Sequence, residues 1–157
     1  MKLTDRLAAL AVSRRAAVVS IWRGLDLLHT RHLQLNSQEN RSIGSLTRLF
    51  LDSLERFGFT TVALELPADL STRTGRLVSH IRKVCRDNLV SLVEVDKDTL
   101  RKESWVVPFR TRAQLRSSAL TLWPVLTDSK LRQLTCDSTL LGLFAQSKRL
   151  IHFSLNQ

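Results

Sequence analysis

The octapeptide Thr60-Thr61-Val62-Ala63-Leu64-Glu65-Leu66-Pro67 reads as an apolar strand with a single carboxylate near its end. A lone carboxylate is costly to bury unless it is paired, hydrogen-bonded or bound to a metal. Two readings stay open at this point. Either Leu66-Pro67 closes the strand and leaves Glu65 solvated at its tip, or Glu65 takes part in chemistry.

The chain around this strand has 157 residues, 43% of them hydrophobic, with only 5 Gly and 3 Pro. That is enough for one well-buried domain and too little for two. The 24 Lys and Arg against 14 Asp and Glu give a net charge of +10, which favours phosphate polymers or an anionic membrane surface as partners. The charge is uneven: residues 1–50 carry 8 basic and 3 acidic side chains, 51–100 carry 7 and 8, and 101–157 carry 9 and 3. Glu65 lies in the neutral middle. Cys85 and Cys136 show no CxxC spacing, so a reducing compartment and core roles are expected for both. No apolar run reaches the roughly 20 residues of a membrane span.

Leu3, Leu7, Leu10 and Arg14 recur at helical spacing, so residues 1–15 are expected to form an amphipathic helix preceding a domain over 16–157. Its Arg- and Ala-rich composition also suits a transit segment, although Asp5 counts against that. The expected compartment is the cytoplasm, with the mitochondrial matrix as the alternative. Ala16–Trp22 and Leu25–Leu35 read as a hairpin turning at Arg23-Gly24. A helix capped by Ser42 or Ser45 follows, with Leu46, Leu49, Phe50, Ser53, Leu54 and Phe57 on one face and Gly58 at its end. After the Glu65 strand, a helix starting at Asp69 or Ser71 turns Leu77, Ile81, Val84 and Cys85 inward. Leu89–Val95 is a further strand. Pro108 breaks the next stretch, a helix from Thr111 presents Leu115, Ala119, Leu122 and Trp123, and a last helix is capped by Asp128 or Ser129. Strands separated by helices in this order predict a mixed α/β sheet with right-handed crossovers.

This order resembles the RNase H-like fold as used by the RuvC Holliday-junction resolvases. Thr61–Pro67 looks like that family's second motif, and Val90–Lys102 is similar to its next strand and the basic stretch leading out of it. Thr111–Pro124 resembles its basic amphipathic helix, and Cys136-Asp137-Ser138-Thr139-Leu140-Leu141-Gly142-Leu143 resembles its terminal helix. The similarity spans residues 16–147. It implies two-metal phosphodiester cleavage, with carboxylates holding paired divalent ions.

The family's usual four acids are not all matched. Its first-strand Ile-Asp-x-Gly corresponds best to Ile21-Trp22-Arg23-Gly24, which puts Trp22 at the bridging acid, and Leu134 stands where a further acid is expected. Only Glu65 and Asp137 remain, as a catalytic remnant, and two acids do not hold Mg²⁺ productively. The resemblance therefore implies a degenerate member that binds branched DNA or structured RNA without cleaving it and needs no cofactor. Expected contacts are Arg73, Arg76, Arg101, Lys102, Arg110, Arg112 and Arg116. Two alternatives stand beside this. One is a scaffold subunit, with protein partners, in a ribonucleoprotein such as a mitochondrial ribosome. The other is an active Mg²⁺-dependent nuclease in which Asp26 or Asp128 supplements Glu65 and Asp137. A homodimer is compatible with the family. His29, His32, His80 and His152 form no ligand pattern, no Gly-rich phosphate loop is present, and the absence of Tyr argues against a base-stacking sheet.

Overall fold

The computed structural model describes residues 5–96, 99, 112–128 and 132–155. Its sheet has five strands: β1 (Arg6–Val12), β2 (Ala16–Arg23), β3 (Asp26–Gln34), β4 (Thr61–Leu66) and β5 (Ser91–Asp96). The spatial order is β3-β2-β1-β4-β5. The first three strands form an antiparallel meander, while β4 is parallel to β1 and β5 is parallel to β4. Residues 16–34 form the expected hairpin, and Thr61–Leu66 and Ser91–Asp96 are the expected neighbouring parallel strands.

The amphipathic helix expected over 1–15 is corrected here, because residues 6–12 are the central strand of the sheet. Leu7, Ala8, Ala9 and Leu10 are at most 2% exposed, so side chains pointing to both faces are buried. A strand covered on both sides carries no polar alternation, and over so short a run its apolar spacing cannot be told from that of a helix. Pairing with β2 on one edge and β4 on the other decides the matter. The segment is integral to the sheet rather than an added element.

Helices α1 (Glu39–Phe57) and α2 (Arg73–Asp87) cover one face; α3 (Arg112–Leu122) and α4 (Arg132–Leu155) cover the other, with a 3-10 turn at Pro124–Asp128 between them. Under α1 and α2 lie Ala8, Leu10, Ile21, Val62 and Leu64, packed with Leu46, Phe50, Leu77 and Ile81. Under α4 lie Leu7, Ala9, Trp22 and Ala63, packed with Cys136, Leu140, Leu141 and Phe144. Leu122, expected to face the sheet, is 49% exposed, and Ala119 and Leu120 pack α3 onto the core. The Leu115 side chain lies outside the described residues.

Helix ends follow local chemistry. α1 begins after Gln38 rather than at Ser42 or Ser45, because the Ser42 hydroxyl instead donates to the Asn36 carbonyl at 2.8 Å. Gly58, at φ +64°, closes α1 through its N–H to the Leu54 carbonyl. The cap of α2 is Thr72, whose hydroxyl accepts from the Gly75 N–H at 3.1 Å. At its other end the Val90 and Leu89 N–H groups reach back to the Cys85 and Arg86 carbonyls, a Schellman closure with Leu89 at φ +57°. No described helix is long and apolar enough to cross a membrane.

Candidate functional site

Glu65 is the penultimate residue of β4, half-buried and paired in register with Val95 of β5. On its other side, Leu7 to Leu10 of β1 pair in order with Thr61 to Leu64. Continuing that register by one residue sets Ala11 beside Glu65. Ala9 and Ala63 both point under α4, and strand alternation turns Ala11 and Glu65 to that same face. An acid on the first strand next to Glu65 would therefore occupy position 11, where the chain has a methyl group, 4% exposed.

Trp22 is not at that position, contrary to the sequence alignment. It pairs with Leu7, at the opposite end of β1 from Ala11. Its ring meets Trp123 edge-on, with centroids 5.4 Å apart, and its Nε1–H donates to the Ser20 hydroxyl at 2.9 Å. The Ser20 hydroxyl donates to the Ser138 carbonyl at 3.0 Å, and the Ser138 hydroxyl donates to the Ala9 carbonyl at 2.8 Å. These bonds lock α4 over the centre of the sheet. They set the height of the neighbouring Asp137.

Asp137 is 6% exposed and is held at two points by Arg116 of α3: Nε to Oδ1 at 3.1 Å and Nη2 to Oδ2 at 3.0 Å. Both carboxylate oxygens thus face a guanidinium. Arg116, expected to contact nucleic acid, joins α3 to α4. Among the described residues no group of three His, Cys, Asp or Glu side chains comes together as a metal site. Asp26 opens β3, the edge strand, and β2 separates it from β1. The Asp128 side chain lies outside the described residues, and Leu134 is half-buried on α4.

Arg73 and Arg76 tie the first turn of α2 to the start of α1. Arg73 donates to the Asn36 carbonyl, to the Ser37 carbonyl at 2.8 Å and to the Ser42 hydroxyl at 2.8 Å. Arg76 pairs with Glu39 at 2.6 Å and donates to the Ser71 carbonyl. The hydrogen bond from Arg76 holds the Glu39 carboxyl below its ordinary range. Arg101, Lys102, Arg110 and the Arg112 side chain lie outside the described residues.

Arg14 and Arg15 fall in the stretch expected to be helical and are not among the expected nucleic-acid contacts. They form the tip of the β1–β2 turn, and both are exposed. Ser13 fixes this turn: its hydroxyl accepts from the Arg15 and Ala16 N–H groups, and its N–H donates to the Ala16 carbonyl at 2.8 Å. The Leu35 N–H adds a bond to the Arg15 carbonyl at 2.8 Å. Two consecutive arginines between apolar runs were the available signal for such a turn.

No family model and no curated protein sequence matches the chain. Solved structures do. RuvC of Thermus thermophilus in complex with a Holliday junction substrate superposes with a TM-score of 0.72 at 12% identity, over 93% of this chain and 96% of that one. The yeast mitochondrial Holliday junction resolvase Ydc2 gives 0.59 at 15% identity, over 96% of this chain and 82% of its own. Over these spans the superpositions give this chain the RuvC-like form of the RNase H fold.

Proposed function

We propose that this protein binds branched or structured nucleic acid through its basic surface and does not cleave it. Two observations support the second half of this reading: the β1–β4 register, continued by one residue, sets Ala11 beside Glu65, and the Asp137 carboxylate is taken up at both oxygens by Arg116. Divalent ions in phosphodiester chemistry need several carboxylate oxygens converging on one point. A methyl group offers none, and a guanidinium already neutralises the second acid. This donor set does not fit a paired-metal centre.

The first half rests on charge and fold. A net charge of +10 favours polyanions, and one structural neighbour is a resolvase bound to its Holliday junction. The decisive experiment is a cleavage time course with Mg²⁺ and Mn²⁺ on four-way junctions, RNA–DNA hybrid and structured RNA, comparing the protein with Glu65→Gln. Binding without cleavage by either is expected. Cleavage that Glu65→Gln abolishes would make Glu65 a metal ligand and overturn the non-cleaving reading.

A further inference from the structure

We infer that the Ser13–Ala16 turn is the centre of a phosphodiester-binding track that runs from Arg73 through Arg14 and Arg15 to Arg132. The inference rests on the nucleic-acid reading above and names where the backbone lies. Two cavities flank the turn and share Arg15 and Ala16. One, of about 590 Å³, is lined by Arg14, Arg15, Arg73, Gln34, Asn36 and Ser37 among others. The second, of about 520 Å³, is lined by Ser13, Arg15, Thr127, Arg132 and Gln133 among others. No described acidic residue lines either, and four guanidiniums stand along one path.

The chemistry suits a phosphate chain. Amide and hydroxyl side chains between the arginines supply neutral hydrogen bonds to phosphate and sugar oxygens, the usual complement to guanidinium contacts. The turn is stiff. Five hydrogen bonds hold the turn from Ser13 to Ala16, so the Arg14 and Arg15 side chains project from a preset base. Arg73 is anchored by the residues it donates to and contributes its charge from the cavity wall. Concave sites on either side of a cationic tip receive a strand segment, whereas a flat anionic membrane would meet only the tip.

The test titrates the full chain into fluorescently labelled four-way junction, duplex and single-stranded oligonucleotide across a range of salt. Each duplex phosphate contact adds about 0.9 to the slope of log affinity against log salt. Arg14→Ala with Arg15→Ala is expected to lower that slope by about 2 and Arg132→Ala by about 1. Arg14→Lys with Arg15→Lys should retain it, as should Arg48→Ala on the exposed side of α1. Because Arg14 and Arg15 are exposed, thermal melting of the Ala pair should match the parent; if that pair fails to fold, Arg132→Ala and the Lys pair decide. Tight binding with the slope unchanged in the Ala pair and in Arg132→Ala overturns the track while leaving nucleic-acid binding intact. A parent that binds none of the three overturns both readings, and Arg15-dependent binding to phosphatidylserine vesicles instead would make the surface a membrane contact.

Discussion

Arg116 and Asp137, 21 residues apart in the chain, meet in a two-point ion pair that fastens α3 to α4, with the carboxylate side chain 8% and the arginine side chain 31% exposed. Removing the arginine takes the two-point partner away from a carboxylate that is almost fully out of water, which costs more than the intact pair contributes. Arg116→Ala should lower unfolding stability by about 1–3 kcal/mol, toward the low end because Arg116 is partly solvated. Asp137→Asn in that background should restore part of the loss, which a double-mutant cycle in urea would read. Additive losses would mean that the pair is not coupled.

Trp22 lies against Gly142 so closely that a Cβ added to Gly142 would overlap the indole ring. Neither side has room to yield, since Trp22 is fully buried and bonded through its Nε1–H to Ser20. Gly142→Ala should therefore destabilise by about 1–3 kcal/mol despite the better helix propensity of Ala. A melting temperature at or above the parent's would show that α4 can shift.

Leu89 holds the left-handed position after α2 at φ +57° while 93% exposed. Its side chain contributes no burial to offset the unfavourable backbone conformation, which costs a non-glycine residue about 1 kcal/mol or more. Leu89→Gly should stabilise the protein by up to about 1 kcal/mol in equilibrium unfolding, the larger entropy of glycine in the unfolded chain taking back part of the gain. A loss of stability would mean that the closure of α2 depends on the leucine.

His29 titrates below its ordinary value of 6.5, because of burial first and then the nearby Arg56 and Arg31. The unfolded chain therefore binds this proton at higher pH than the folded one, so the contribution of neutral His29 is complete above 6.5 and is lost as pH falls below it. Stability measured from about pH 7 down to about pH 5 should decline, and His29→Gln should flatten that part of the profile. An unchanged slope in the variant would move the effect to another group.

Burial pushes the Cys85 thiol up to about 12, and the Cys136 thiol is also raised, by burial and then by Asp137. Neither should react with a thiol reagent at pH 8 in the native state, and both should react at once in denaturant. Rapid native labelling would reveal local opening of α2 or α4.

Much of this architecture was legible in the residues. The apolar spacing of Leu77, Ile81, Val84 and Cys85 has one solution, a helix with a single buried face, and all four are buried. The β4 and β5 segments carry their strand character locally, in β-branched runs bounded by Pro67, Asp87-Asn88 and Asp96. The turn at Gly24 and the end of α1 at Gly58 both have the positive φ that glycine supplies. Periodicity, turn chemistry and capping act over a few residues, so the sequence by itself determined these elements and their alternation.

Tertiary structure alone decided the rest. Residues 6–12 could wind as a helix or extend as a strand, and only simultaneous pairing with β2 and β4, with helices covering both faces, makes them the central strand. That one assignment moves the position beside Glu65 from Trp22 to Ala11 and turns Arg14 and Arg15 from helical surface into a cationic tip. The bond between Arg116 and Asp137 was equally hidden, because it forms only when α3 and α4 dock on the same face. Local propensities cannot encode which distant strand or side chain will be met. That choice belongs to the burial of the whole sheet, a cooperative quantity summed over contacts far apart in the chain.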